Sequence, residues 1–199
     1  MNKLLPVFLK LDEKKVLVVG GGNVALEKLQ HLSQTGCELT VIAKECKSEV
    51  SQLLSSVSKA KIEIREVNVS DLDGFDLVYS ATNDRETNRK LVEYAKQKRI
   101  WINCADDPSH CDFYSSAYFD RGPIRVAVST QGEFAGLAGS VRTILEEILP
   151  PEHDADLEDL VQIRSLSKQK LGDANERKAA LKFLLNEFKE KYLSLNKKL

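Results

Sequence analysis

Three consecutive glycines follow the apolar run Val16–Val19 and precede a segment with helical spacing. Together with Ala25 they form the pattern strand, Gly-x-Gly-x-x-Ala, helix, which is typical of dinucleotide-binding turns. In that pattern Gly20 permits a tight turn, Gly22 lets the main chain approach a diphosphate, and Ala25 allows close packing of helix on strand. The N–H groups that open the helix then face the phosphates, and they belong to Asn23, Val24 and Ala25. The alternative is a tight strand-to-helix turn that binds no ligand.

The side chain that would hold the ribose of such a nucleotide is expected at the end of the second strand. An acidic residue about 20 positions beyond the glycines is the usual ligand of the ribose hydroxyls. Here the apolar run Leu39–Ile42 is followed by Ala43, Lys44 and Glu45. Glu45 would serve NAD, whereas Lys44 would either meet the 2′-phosphate of NADP or be an exposed surface lysine.

Small and amide side chains follow the fourth apolar run, Leu77–Ser80. Residues at the carboxyl end of a strand in an open α/β sheet commonly border a bound ligand. Ala81, Thr82 and Asn83 are therefore predicted to lie beside the nicotinamide half of the cofactor. The same segment also has a structural interpretation, because Thr82, Asn83 or Asp84 could cap the helix that follows.

Six short apolar runs alternate with helical patterns over residues 1–130. Continuous apolar runs are typical of strands in a sheet that is buried on both faces. The runs are Val16–Val19, Leu39–Ile42, Ile62 to Val67, Leu77–Ser80, Trp101–Asn103 and Val126–Val128. Helices are predicted between them over 24–35, 47–56 and 85–98. This alternation predicts the α/β class, with a Rossmann-like, doubly wound parallel sheet.

The sequence changes character after Gly132. Helical spacing of apolar residues predicts a helix over 137–148 that stops at Leu149-Pro150-Pro151. From Asp154 onward the sequence is compatible with helix, apart from a break at Gly172-Asp173. We therefore divide the chain into a nucleotide-binding domain over 1–115, a segment over 116–150 and a small all-α C-terminal domain over 151–199.

The composition excludes several classes of protein. The 29 Lys and Arg residues balance 30 Asp and Glu residues, so the chain lacks the cationic excess that coats nucleic acid. Its apolar runs are shorter than the ~18 residues of a membrane span and, at the N-terminus, shorter than a secretion signal. The four cysteines contain no Cys-x-x-Cys pair and are expected to be thiols in a reducing compartment. We expect a cytoplasmic protein that binds neither nucleic acid nor membrane.

Several motifs occur in an order that is more specific than any one of them. They are Pro6-Val7-Phe8-Leu9, the glycine turn extended to Lys28, Ala81-Thr82-Asn83-Asp84, the segment from Asn103 to Pro108, and the segment from Asp120 to Ser129. In this order they resemble the precorrin-2 dehydrogenase and sirohydrochlorin ferrochelatase family, the N-terminal modules of siroheme synthases. The resemblance covers residues 4–150, and the helical tail in architecture only.

This resemblance implies NAD-dependent dehydrogenation of precorrin-2 to sirohydrochlorin in siroheme biosynthesis, and in some members insertion of ferrous iron to give siroheme. It also implies a homodimer in which 116–150 is the dimerisation segment. One segment departs from the family pattern. At this place family members have a Ser- and Gly-rich stretch that ends in Ser-Pro. Residues 129–136 carry Glu133 and Phe134 instead and have no proline, a change that bears more on iron insertion than on the cofactor site.

Asp106 matches the aspartate of the Asn-x-x-Asp motif of that family and is the candidate catalytic residue. A carboxylate is ionised at neutral pH, so it can accept the proton released by oxidation of the substrate or the pyrrole N–H protons released by chelation. A base, a metal guide and a substrate anchor all remain open as roles. By position alone, Asp106 or Asp107 would form an Asx turn before Pro108.

The tetrapyrrole substrate carries many carboxylates, so cationic side chains are candidates for binding it. Arg121, Arg125 and Arg142 could form bidentate contacts with carboxylates, or could be surface charges. His110 is a further candidate beside the substrate. Cys104, His110 and Cys111 do not have the spacing of a zinc site, and we predict no bound metal.

Two other functions fit the same residues. A nucleotide-sensing Rossmann module with a helical signalling tail would bind nucleotide without tetrapyrrole. A chelatase that uses only the substrate cavity would insert iron without NAD.

Overall fold

The computed structural model describes residues 4–149, 151 and 154–195. The chain forms two compact units, Met1–Ser115 and Ser116–Leu199. Residues 1–3 of the predicted domain 1–115, and residues 152–153 and 196–199 of the predicted domain 151–199, fall outside the described residues, as does Pro150 in the predicted helix stop. The division of the second unit near residue 150 stays a prediction.

A five-stranded parallel sheet forms the centre of the first unit. Its strands are β1 (Lys15–Val19), β2 (Glu38–Ala43), β3 (Ala60–Ile64), β4 (Leu77–Ser80) and β5 (Trp101–Cys104). They are arranged in the order β3-β2-β1-β4-β5, and every pair is parallel. The predicted Rossmann-like sheet is confirmed, with Val67 beyond the end of β3.

Helices cover both faces of this sheet, namely α1 (Asn23–Leu32), α2 (Ser48–Ser55) and α3 (Arg85–Lys98). Side chains of β1 alternate between the faces. Val16 and Val18 pack in the cluster formed with α1 and α2, whereas Leu17 and Val19 pack in the cluster formed with α3. Burial of all four explains why β1 is a continuous apolar run.

The strand order reverses at β1, because the chain leaves β1 for the face that carries α1 and leaves β4 for the face that carries α3. The two strands run side by side in register, with Val19 opposite Ser80. The N–H of Ala81 continues the pairing by donating to the carbonyl oxygen of Val19 at 2.8 Å. A crevice therefore opens beyond their carboxyl ends, where open α/β sheets bind ligands.

Over its described residues, the second unit contains a two-stranded sheet and three α-helices. They are β6 (Ala117–Arg121), β7 (Ile124–Val128), α4 (Ala135–Ile148), α5 (Asp154–Lys170) and α6 (Ala174–Leu195). The predicted break at Gly172-Asp173 separates α5 from α6. None of the helices in the described part of the chain combines the length and apolar character needed to cross a membrane.

The sixth predicted strand does not extend the parallel sheet, and in this respect the prediction was wrong. Val126–Val128 lies in β7, which pairs antiparallel with β6 in a sheet of its own. Gly122 and Pro123 alone join these strands, and a parallel pair would need a crossover of a dozen or more residues. The single buried residue of β6 is Phe119.

Candidate functional site

The three glycines form the turn between β1 and α1, and their surroundings differ. Gly20 has a φ of +120°, and a Cβ on it would lie 2.4 Å from the carbonyl oxygen of Ala81. A Cβ on Gly21 would lie 2.4 Å from the carbonyl oxygen of Glu45. A Cβ on Gly22 would meet no described atom within 4 Å. The fold itself therefore requires the first two glycines, whereas Gly22 faces open space from which a ligand can approach.

The N-terminus of α1 follows Gly22 directly. Gly22 is its N-cap and supplies no side-chain acceptor, so the first N–H groups of the helix, those of Asn23, Val24 and Ala25, have no acceptor within the helix. Lys47 adds a cation here, because its Nζ donates to the side-chain oxygen of Asn23. Helix N–H groups and a lysine together suit a diphosphate.

A cavity of about 750 Å³ covers this turn. Its walls come from Val19–Gly22, Ile42–Lys47, Arg65–Val67, Ala81–Asp84 and Thr87. Among the residues that line it are the predicted cofactor residues Gly20, Gly22, Lys44, Glu45, Ala81, Thr82 and Asn83. The volume is typical of a small-molecule site, and the open approach to Gly22 fits a dinucleotide.

Lys44 and Glu45 both line this cavity beyond β2. The Nζ of Lys44 lies 2.8 Å from a carboxylate oxygen of Glu66. The hydrogen bond between them raises the pKa of Lys44 and lowers that of Glu66. A 2′-phosphate would therefore have to compete with Glu66 for Lys44.

The segment Ala81–Asp84 both starts α3 and lines the cavity. Asp84 is the N-cap, since its carboxylate accepts from the N–H of Glu86 at 3.0 Å and from the hydroxyl of Thr87 at 2.6 Å. The hydroxyl of Thr82 accepts from the N–H of Asp84 at 3.2 Å. Asp84 therefore takes the capping role, and Ala81, Thr82 and Asn83 are left at the cavity wall.

Asp106 lies two residues beyond β5, at the same edge of the sheet as the glycine turn. Its Oδ1 accepts from the side-chain amide of Asn88 at 2.9 Å and from the thiol of Cys104 at 3.0 Å. Burial, followed by the Asp106 carboxylate, raises the pKa of Cys104 to about 12. The thiol therefore stays protonated at neutral pH and acts as a donor to Asp106.

Asp107 forms the turn before Pro108. Its carboxylate accepts from the N–H of Ser109 at 3.2 Å and from the hydroxyl of the same residue at 2.6 Å. The other carboxylate oxygen lies 2.6 Å from Nδ1 of His110. Ser109 and then His110 lower the pKa of Asp107. Of the two aspartates, Asp107 makes the turn, and the catalytic role of Asp106 stays a prediction.

A second cavity, of about 600 Å³, opens beside Asp106 and includes His110 in its wall. The outer positions of α3 supply its cations, Arg85, Arg89 and Lys96. Arg89 lies 3.8 Å from Glu93, whereas Arg85 and Lys96 make no ion pair within the described ranges. Among the described residues, this cavity therefore has three carboxylates, those of Glu93, Asp106 and Asp107, beside its three cations, of which Arg85 and Lys96 suit an anionic ligand.

Cys104 and Cys111 contact each other through the main chain. The Sγ of Cys111 accepts from the N–H of Cys104 at 3.0 Å and donates to its carbonyl oxygen at 3.2 Å. Over residues 4–149, 151 and 154–195, no three or more His, Cys, Asp and Glu side chains are grouped so as to hold a metal ion. The absence of a bound metal stays a prediction.

The three predicted substrate arginines lie in the second unit, and each is paired with an acid there. The guanidinium of Arg125 contacts both carboxylate oxygens of Asp120, at 2.7 and 2.8 Å. Arg121 lies 3.3 Å from Glu146, and Arg142 also donates to Glu146. A substrate carboxylate would have to share or displace these partners, and the assignment stays a prediction.

Comparison with known families shows what kind of site the glycine turn belongs to. Residues 7–117 match a family described as putative NAD(P)-binding, and this span is more than half of the chain. The chain belongs to this NAD(P)-binding family. The matched span contains the glycine turn, the 750 Å³ cavity and Asp106, so the predicted cofactor class is confirmed for this unit.

This NAD(P)-binding chain is also similar to siroheme synthases. It is 38% identical over 175 residues to the siroheme synthase of Tolumonas auensis, a match that covers 87% of this chain and 36% of that protein. It is 38% identical over 146 residues to the siroheme synthase of Methylococcus capsulatus, covering 73% of this chain and 31% of that protein. The chain thus spans about a third of the length of these curated relatives, and the resemblance indicated by its ordered motifs is confirmed.

A solved structure named SirC, precorrin-2 dehydrogenase, has the same fold. The TM-score is 0.79 at 23% identity, and the match covers 98% of this chain and 100% of that chain. At this level of identity the likeness establishes the fold alone.

Several residues of the site were not predicted from the sequence, among them the cavity cations Arg85, Arg89 and Lys96. Gly21 occupies an unspecified position of the turn pattern, and Lys47 lies 24 residues from its partner Asn23. Asn88 carried a usable signal, because it shares the helical spacing of Leu91 and Ala95 and so lies on the buried face of α3. A polar residue on a face predicted to be buried needs partners.

Proposed function

We propose that this protein catalyses the NAD-dependent dehydrogenation of precorrin-2 to sirohydrochlorin. The observation that carries the proposal is the placement of the Asp106 carboxylate at the same sheet edge as the dinucleotide turn, beside a cavity of its own. The names of the similar proteins, siroheme synthase and precorrin-2 dehydrogenase, agree with it.

The dinucleotide would lie across the carboxyl ends of β1 and β4. Gly22 and the first N–H groups of α1 would hold its diphosphate, with Lys47 beside them. Ala81, Thr82 and Asn83 would border the nicotinamide, and Lys44 and Glu45 the ribose at the other side. Bound NAD supplies the hydride acceptor that no amino-acid side chain provides.

Asp106 would accept the proton that the tetrapyrrole loses together with the hydride. Within the described part of the chain, the side chains of Asn88 and Cys104 both donate to Oδ1 of Asp106, and this carboxylate lines the 600 Å³ cavity. Arg85 and Lys96 in the same cavity suit the carboxylates of the substrate, with His110 beside them. Arg121, Arg125 and Arg142 remain further proposed carboxylate ligands.

We also propose that the protein is a cytoplasmic homodimer. The four cysteines are free thiols, which agrees with a reducing compartment. Exposed apolar side chains recur along α4 at Leu137, Ile144 and Ile148, and a second copy of the chain would cover them.

The test is incubation of the protein with precorrin-2, with and without NAD or NADP. We expect NADH absorbance and the sirohydrochlorin spectrum to appear together. Asp106→Asn keeps the side-chain shape and should lower kcat by about 100-fold or more, because a carboxylate base is removed. Nucleotide binding without tetrapyrrole binding or turnover would instead support the nucleotide-sensing module.

Ferrous iron is the second proposed substrate, and a further arm of the same experiment adds it to sirohydrochlorin. Asp106 would then accept pyrrole N–H protons as the metal enters. A siroheme spectrum that forms without NAD, and faster than in the absence of protein, would assign iron insertion to the chain. If siroheme forms no faster than in the absence of protein, iron insertion by this chain is excluded.

A further inference from the structure

Asn88 is the buried amide that connects the two cavities of the first unit. Its side chain lies on α3 and is 1% exposed. On one side it contacts Thr82, which lines the 750 Å³ cavity, and on the other Asp106, which lines the 600 Å³ cavity. Within the residues described, this is the side chain that hydrogen-bonds to both segments.

The contacts of Asn88 fix the orientation of its amide. Its Oδ1 lies 2.7 Å from the hydroxyl oxygens of both Ser80 and Thr82, which can donate to it. Its Nδ2 donates to the carbonyl oxygen of Thr82 at 3.1 Å and to Oδ1 of Asp106 at 2.9 Å. Two acceptor sites and two donor protons are therefore all used, which is the full capacity of a primary amide. A rotation of the Asn88 amide by 180° would place its oxygen against the Asp106 carboxylate, where two acceptors would face each other.

We propose that Asn88 is a positioning residue that fixes the Asp106 carboxylate relative to the nucleotide-binding edge at Thr82. The proposal rests on the proposed function, in which Asp106 accepts the proton of the substrate. Asp106 lies beyond β5 in a loop, so its position depends on contacts from neighbouring elements. The amide of Asn88 provides such a contact from a capped helix that also packs on the sheet.

Other charged and titratable groups lie around the Asp106 cavity and set the background for any pH effect. Those on α3 are Arg85, Arg89, Glu93 and Lys96, and those on the segment from β5 onward are Cys104, Asp107 and His110. A substitution at Asn88 leaves all of these in place. A change in the behaviour of Asp106 would therefore be due to the substitution at residue 88.

The test uses two substitutions and a matched control. Asn88→Asp keeps the shape but places a second carboxyl group against Asp106, so the two would compete for one proton. Asn88→Ala removes the contact altogether. Gln97→Glu adds the same charge to an exposed position of α3 that lines neither cavity.

For Asn88→Asp we expect the acid limb of the kcat/KM profile to move to higher pH by about one unit or more. For Asn88→Ala we expect kcat to fall roughly 10- to 100-fold, with the KM for NAD changed less. The Gln97→Glu variant should match the parent. If Asn88→Asp leaves the acid limb in place and kcat unchanged, the positioning role is refuted.

A second measurement does not depend on turnover. The carboxyl carbon of Asp106, labelled with ¹³C and followed by NMR, should titrate at higher pH in Asn88→Asp than in the parent. Circular dichroism identifies a variant that fails to fold. If Asn88→Ala fails to fold, the result for the isosteric Asn88→Asp decides whether Asn88 positions Asp106. If the parent shows no turnover, the proposed function fails, whereas an unmoved Asp106 resonance overturns the positioning role by itself.

Discussion

At the scale of single residues, the glycine turn separates the demands of folding from those of ligand binding. Gly20 and Gly21 have carbonyl oxygens within 2.4 Å of where a Cβ would lie. Gly22 has no described neighbour in the corresponding position. One short motif therefore contains glycines that are needed for different physical reasons, two for folding and one for the approach of a ligand, although all three look alike in the sequence.

Alanine substitutions should reveal this difference. Gly20→Ala is expected to lower the free energy of unfolding by about 2 kcal/mol or more, because it adds a clash to a backbone conformation unfavourable for alanine. Gly22→Ala is expected to keep the stability of the parent but to weaken NAD binding about tenfold or more, since its methyl group points toward the ligand. Urea unfolding and calorimetry measure the two effects. Equal NAD affinity of Gly22→Ala and the parent would contradict the placement of the diphosphate.

Cys104 provides a second prediction at this scale. Burial and the neighbouring Asp106 raise its pKa to about 12, whereas an unfolded thiol has a pKa near 8.5. We expect iodoacetamide at pH 8.5 to leave Cys104 unmodified in the folded protein and to alkylate it in urea, as read by peptide mass spectrometry.

The same shift makes stability depend on pH. A pKa that is raised on folding contributes stability that is present below the unfolded value and is lost between about pH 8.5 and 12.

The partly exposed Cys46 is the internal control for the alkylation of Cys104 by iodoacetamide and should react first. Rapid labelling of Cys104 in the folded state would show that its thiol is not held against Asp106.

At the scale of elements, α3 is the helix that unites the site. Its N-cap region forms a wall of the 750 Å³ cavity, its buried face carries Asn88, and its outer face supplies Arg85 and Lys96 to the other cavity. Leu91 and Ala95 anchor the helix on the sheet. The start and the rotation of α3 therefore decide where several site residues lie.

Loss of the cap should weaken this helix. Asp84→Ala removes two hydrogen bonds at its N-terminus, and we expect the free energy of unfolding to fall by about 0.5–2 kcal/mol in urea. Glu86→Gln is the control in the same turn, because it removes a charge at an exposed side chain without touching the cap. A loss for Glu86→Gln as large as that for Asp84→Ala would show that charge, rather than the cap, stabilises the helix start.

At the scale of the whole molecule, the chain combines a nucleotide-binding unit with a second unit that exposes apolar side chains along α4. Ile144 is 56% exposed and Ile148 49% exposed, and both lie on α4. Exposed apolar side chains repeated along one helix are typical of a surface that binds another protein. This is the physical support for the proposed homodimer.

A charge placed on this surface should reduce dimerisation. We expect Ile144→Glu to shift the mass measured by light scattering from two chains toward one, because a carboxylate would have to be buried in the interface. Ile64→Lys alters an equally exposed residue of the first unit and should leave the mass unchanged. A parent protein that is monomeric at micromolar concentration would refute the homodimer.

The parallel sheet, the helices on its two faces and the dinucleotide turn were all predictable, because burial on both faces leaves continuous apolar runs and the turn pattern depends on local conformation. The sequence did not place β7, since an apolar run of three residues is the same in a parallel sheet and in a hairpin. Its pairing with β6 follows from a connection that is too short for a crossover.

By itself the sequence determined the fold class of the first unit and the residues of the cofactor turn, because their chemistry is set by neighbours in the chain. Only the tertiary structure decided that Asp107 makes the turn and Asp106 faces a cavity, that Asn88 holds Asp106, and that Lys47 reaches Asn23. The contacts of Asn88 and Lys47 join residues 18 and 24 positions apart. Such contacts depend on how strands and helices pack, and no local pattern of residue types encodes that packing.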